Sequence, residues 1–188
     1  MSLDDIGRKY GTGKSSEFHG FLDYYELTIR DKQIESVLEI GVGSNAQSLR
    51  MWAEFLPQAT IYGFDINEGY LLNEGRIRTF LCDQSNPDAI RRAMSENKID
   101  PDLFIDDGSH IWSHQMITYN TVYPLLKKGA VYIVEDLHTS VYYGKCWKDQ
   151  EQNPLEFFSG LLNFSIIKTK VDAEHLPIRG ITGVGIKV

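Results

Sequence analysis

The chain has 188 residues, 42% hydrophobic and 24% charged, a balance that fits one globular domain and is long enough to bury roughly 70% of its unfolded surface without disulfides or a structural metal. Its 26 acidic residues outnumber 19 basic ones, for a formal net charge of −7, which argues against nucleic-acid binding through a general basic surface. No apolar run of membrane-spanning length occurs, the opening MSLDDIGRKYG is polar where a signal peptide is apolar, and the two cysteines, Cys82 and Cys146, form no disulfide framework, so the sequence reads as cytoplasmic with no membrane partner.

In chain order, residues 1–35 read as a helical lead-in, with helical spacing over 21–30. Short apolar or β-branched runs at 36–40, 60–64, 77–82, 103–105 and 130–134 read as buried parallel strands. Between them, 47–55, 87–95 and 113–126 have helical spacing; in the last, Met116, Tyr119, Tyr123 and Leu126 stand three or four apart. Strand and helix alternate, which predicts an α/β, doubly wound, mostly parallel sheet with helices on both faces. Beyond these, a helix is expected over 153–163, then strands over 164–171 and 181–188 joined by a loop containing Pro177 and Gly180. This closing antiparallel hairpin brings the sheet to seven strands, in a single domain over 1–188 with no repeat and no linker.

The first strand runs into Gly41-Val42-Gly43-Ser44-Asn45-Ala46, a G-x-G-x-x-A pattern at a strand-to-helix turn, where open α/β sheets bind nucleotides. Its plain alternative is a tight turn with no ligand. The second strand ends in Asp65, spaced to hold a ribose diol, and the third in Asp83-Gln84, whose carboxylate and amide could read an adenine edge. Asp83 could instead cap the helix near Pro87, though Ser85 or Asn86 is better placed. Glu39 either organises the glycine loop or meets an ammonium group. A nicotinamide dinucleotide and S-adenosylmethionine both suit such a loop; the acidic rim of Glu39, Asp65 and Asp83 favours the sulfonium and ammonium of S-adenosylmethionine.

The fourth strand leads to Asp106-Asp107-Gly108-Ser109-His110 and the fifth to Glu135-Asp136-Leu137-His138. Carboxylates crowded at adjacent strand tips resist joint ionisation. A hard divalent cation, Mg²⁺ or else Mn²⁺ or Ca²⁺, resolves that conflict, with Asp107, Glu135 and Asp136 as ligands and Asp106 turned to the backbone. The chemistry that follows is methyl transfer to a hydroxyl, with His110 as the base. His114 and His138 are held in reserve, as surface or hydrogen-bonded residues. Tyr142, Tyr143 and Trp147 fit an acceptor wall and fit cover for the hairpin equally well.

LEIGVG at 38–43, SLRMW at 48–52, FDI at 64–66, CDQS at 82–85, IDDGSH at 105–110 and VEDLHTS at 134–140, with KYGTGKSSEFHG at 9–20, together resemble the metal-dependent sugar O-methyltransferases of macrolide and related antibiotic biosynthesis. The resemblance covers residues 9–143 and departs from the family at Gly13, where an aspartate is usual. It implies a Rossmann-like class I methyltransferase fold, Mg²⁺ on Asp107, Glu135 and Asp136, His110 as base, Asp65 on the ribose, and Asp83 and Gln84 near the adenine. The implied acceptor is a small-molecule glycoside or sugar hydroxyl, with N-methylation of an amino sugar a near variant. A nicotinamide-dependent oxidoreductase and a non-catalytic cofactor-binding protein are the competing readings, and a homo-oligomer is compatible with all three.

Overall fold

Ser2 opens the first helix, α1 (Leu3–Tyr10), in a capping box: its hydroxyl accepts from Asp5 N, while Asp5 accepts the Ser2 N–H. Gly11 closes the other end at φ +70°. The computed structural model describes residues 1–142, 147–169 and 180–188. Within them follow α2 (Leu22–Ile29), β1 (Ser36–Ile40), α3 (Gln47–Phe55), β2 (Thr60–Asp65), β3 (Asn73–Glu74), β4 (Ile77–Leu81), α4 (Pro87–Glu96) and β5 (Leu103–Asp106). The chain continues through α5 (Trp112–Val122), β6 (Val131–Val134), α6 (Thr139–Tyr142), α7 (Pro154–Ser159), β7 (Phe164–Thr169) and β8 (Gly180–Ile186).

One sheet runs β3-β4-β2-β1-β5-β6-β8-β7. Its centre is parallel, and β3 and β8 run antiparallel to β4 and β6. The expected strands are present, with the two-residue β3 as an eighth. The closing hairpin also forms, but β8 inserts between β6 and β7, so the reversed strand is interior and β7 takes the edge. The helix expected over 113–126 stops at Val122, where Pro124, lacking an N–H, starts a 3-10 turn. The helix expected over 153–163 is shorter, capped by Asn153 and ended at Gly160. The loop containing Pro177, and Tyr143 and Cys146, lie outside the described residues.

Alternation along the strands divides the core. Val37, Ile61, Leu103, Ile105, Val131 and Ile133 face α1, α2 and α3, where Leu3, Leu22, Leu49 and Trp52 are buried. Leu38, Ile40, Phe64, Phe104, Tyr132 and Val134 face α4, α5 and α7, where Ile90, Val122 and Phe158 are buried. Glu39 falls on the first face with Val37, a carboxylate under a helix, and so needs partners. Ile40 pairs with Phe64 and with Asp106, and Asp106 with Val134. This register brings Gly41, Asp65, Asp107 and Glu135 out side by side at one sheet edge. Among the described residues no helix is long and apolar enough to cross a membrane.

Candidate active site

Two adjoining clefts lie over that edge, and both touch Gly41, Asp65 and Gly108. One, of about 200 Å³, has apolar walls from Ile40, Phe64, Ile66 and Cys82 and a polar rim of Asp83, Ser109 and His114. The other, of about 350 Å³, lies between Gly43, Gln47 and Ser48 on one side and Thr12, Gly13, Asp107 and His110 on the other. Gly41 sits at φ +99°, and a Cβ there would collide with the main-chain carbonyl of Asp107, so only glycine allows the two loops to approach this closely. An apolar slot with a polar rim suits a purine nucleoside; the second cleft is polar and reaches the acidic cluster.

Several residues singled out in the sequence have protein partners. Asp65 Oδ2 accepts the N–H groups of Val42 at 2.9 Å and Gly43 at 3.1 Å, and Oδ1 that of Asn67, so this carboxylate shapes the glycine loop. Asp83 Oδ1 accepts from the backbone and hydroxyl of Ser85, which hold its carboxyl below the usual range; Asn86 caps α4. Gln84 is buried and its amide is committed inside the protein: Nε2 donates to Asp106 at 2.5 Å and Thr118 at 3.0 Å, and Oε1 accepts Ser109 N at 2.9 Å. It ties the ends of β4 and β5 to α5. Asp106 is buried as well, and burial raises its carboxyl to about 7. His114 Nδ1 lies 2.7 Å from Ser109 Oγ, at the rim of the apolar cleft.

Lys14, to which sequence reasoning assigned no role, forms the floor of the acidic cluster. Its ammonium lies 3.3 Å from Glu39 Oε1 and 2.9 Å from Glu135 Oε1, and also contacts Asp107 Oδ2. Burial alone would push the Lys14 ammonium down, but Asp107, Glu135 and Glu39 outweigh it and hold it well above its ordinary value. Burial also pushes the Glu39 and Glu135 carboxyls up. Glu39 is held further by Ser48 Oγ at 2.6 Å and Trp52 Nε1 at 3.0 Å, so it both organises α3 and meets an ammonium, that of Lys14. Crowded carboxylates already signalled that a cation was needed; a lysine inside the quoted 9–20 motif was the available signal for this one.

Above that floor, donor atoms of Asp107, His110 and Asp136 all lie within 4.8 Å of one another, a spacing that could hold a metal ion. Glu135, expected among the ligands, is outside that group, and its Oε1 lies 2.9 Å from the Lys14 ammonium. His110 Nε2 is 3.3 Å from Asp136 Oδ2, and His138 Nδ1 is 3.4 Å from Asp136 Oδ1. His19 stacks on His138 with ring centroids 5.7 Å apart, and burial pushes the His138 imidazole down. His110 and Asp136 both have left-handed backbone, at φ +59° and +56°, a cost of order 1–3 kcal/mol each that clusters at functional sites.

The sheet order, the reversed β8 and the glycine loop at the switch from β2 to β5 around β1 define a class I methyltransferase fold. No family model matches the chain. The chain is homologous to the sugar O-methyltransferases of macrolide and related antibiotic biosynthesis. It is 36% identical over 151 residues to mycinamicin VI 2''-O-methyltransferase of Micromonospora griseorubida, which covers 76% of this chain and 37% of that protein. Demethylmacrocin O-methyltransferase of Streptomyces fradiae is 32% identical over 187 residues, 93% of this chain and 46% of that one. Among solved structures, the MycE methyltransferase of the mycinamycin pathway, in complex with Mg, SAH and mycinamycin VI, superposes with a TM-score of 0.79 at 27% identity, covering 100% of this chain and 54% of that one. The O-methyltransferase TomG from Streptomyces achromogenes shares the fold alone, with a TM-score of 0.55 at 13% identity over 99% of this chain and 89% of that one. This chain thus spans under half the length of those two curated relatives.

Proposed function

We propose that this chain transfers the methyl group of S-adenosylmethionine to a hydroxyl of a sugar carried by an antibiotic glycoside, with Mg²⁺ at the acidic cluster. The observation that carries this reading is the meeting of Asp107, His110 and Asp136 beside the cleft that the glycine loop walls. The apolar cleft takes the adenosine, with Asp83 at its rim and Asp65 at its junction with the second cleft, where the methionine lies against Gly41 and Gly43. The donors suit a hard divalent ion: the carboxylates of Asp107 and Asp136, which stand together at the cleft. Asp107 and Asp136 would hold the ion, with Glu135 behind them on Lys14, and the ion would lower the pKa of an acceptor hydroxyl.

His110 accepts the hydroxyl proton. As the acceptor oxygen forms its bond to the methyl carbon, the carbon–sulfur bond breaks and its electron pair stays on sulfur, leaving S-adenosylhomocysteine and protonated His110. Asp136, 3.3 Å from His110 Nε2, stabilises the imidazolium. The cleft walls supply alignment of oxygen, carbon and sulfur, worth on the order of 7–11 kcal/mol. The similarity to O-methyltransferases rather than dehydrogenases favours this reading over nicotinamide chemistry.

The test pairs calorimetry with S-adenosylhomocysteine and NADH against an assay of labelled methyl transfer to a panel of macrolide glycosides, with and without a chelator. Binding of S-adenosylhomocysteine but not NADH, and transfer that stops on chelation and returns with Mg²⁺, is expected. Transfer indifferent to chelation would remove the metal from the reading, and failure to bind S-adenosylhomocysteine would overturn it.

A further inference from the structure

We infer that Lys14 is a positioning residue for the divalent ion: its ammonium grips the inward oxygen of Asp107 and so presents the outward one, beside Asp136 and His110, to the cleft. This rests on the metal reading above and extends it to a residue on the lead-in. Burial separates the cluster into two tiers. The side chains of Lys14, Glu39 and Glu135 are 3%, 0% and 2% exposed, whereas those of Asp107, His110 and Asp136 are 26%, 24% and 14% exposed. Asp107 alone belongs to both tiers, touching Lys14 through Oδ2 and sharing the upper group with His110 and Asp136.

The three protons of an ammonium face three carboxylates, from β1, from the loop after β5 and from the end of β6. Lys14 is itself held: its carbonyl accepts Phe21 N at 2.9 Å, and Asp4 fixes the next turn by accepting both the N–H and the hydroxyl of Ser16. The lead-in is therefore fastened to the site through Lys14, with His19 stacked on His138 beside it. Without the ammonium, two buried carboxylates and the half-buried Asp107 repel one another, and Asp107 has no inward anchor. Partners that orient metal-binding carboxylates are typically worth about 10–100-fold in metal affinity.

The experiment titrates Mn²⁺ and Mg²⁺ calorimetrically into wild-type protein and Lys14→Met, at a temperature where circular dichroism shows both folded. Ion affinity about 10–100-fold weaker in Lys14→Met is expected. Unchanged or tighter ion binding would overturn the inference, since a merely structural counter-charge would lower only the melting temperature and a competing one would release affinity when removed. Should Lys14→Met not fold, Lys14→Met/Glu39→Gln, which removes a carboxylate together with the ammonium, is titrated with the same expectation. Wild-type protein that binds neither ion would overturn the metal reading itself, whereas binding by wild type with equal binding by the variant overturns only the role of Lys14.

Discussion

His110 and Asp136 hold left-handed backbone angles without being glycine, and their side chains meet at 3.3 Å. Such strain is sustained where the surroundings over-determine it, here by the β5 and β6 ends from which the two loops spring. If His110 takes the acceptor proton, His110→Ala should lower the methyl-transfer rate by about 10²–10⁴-fold while S-adenosylhomocysteine affinity changes little; a variant with wild-type turnover would remove the base. The identities of these residues were legible in IDDGSH and VEDLH, because acidic residues straight after apolar runs must emerge at a sheet edge. Their partition was not. Lys14 lies 93 positions from Asp107, and no local pattern shows that a lysine in a polar lead-in will be buried among carboxylates. Gln84 is a related case: its place at a strand tip, on the wall of the apolar cleft, was readable, but Thr118 and Asp106, which take up its amide, come from other elements.

At the scale of elements, the sequence placed β1 to the residue, because Val37, Leu38 and Ile40 followed at once by Gly41 leave a short strand little freedom. It could not order the closing pair, since β7 and β8 look alike whichever lies outermost. In the lead-in, the start of α1 is set by its cap. Ser2 and Asp5 satisfy each other's N–H groups at 3.1 Å, and α1 buries Leu3 and Ile6 against the face that carries Glu39. Ser2→Ala should therefore cost about 1 kcal/mol, read from the urea midpoint with an unchanged m-value. No shift would mean that packing alone holds the helix.

Taken whole, the molecule keeps a carboxyl in its interior in a form that pH can change. Asp106, ordinarily near 3.8, is raised to about 7 by burial. At low pH it is protonated in folded and unfolded chain alike, and its contribution to stability is fully present. Between about pH 4 and 7 the unfolded chain ionises first, so stability should fall with rising pH by up to about 1.4 kcal/mol per unit from this group. Urea denaturation across that range should show a shallower decline in Asp106→Asn than in wild type; equal slopes would place the titration elsewhere. The interior position of β8 carries a different consequence. It is the sole described neighbour joining β7 to the parallel strands, and it follows β6 by roughly fifty residues. Until it arrives, a growing chain carries an apolar β6 with one bare flank, the kind of surface that invites aggregation and chaperone capture. Cover for that flank therefore waits until the stretch Gly180–Ile186 has been translated.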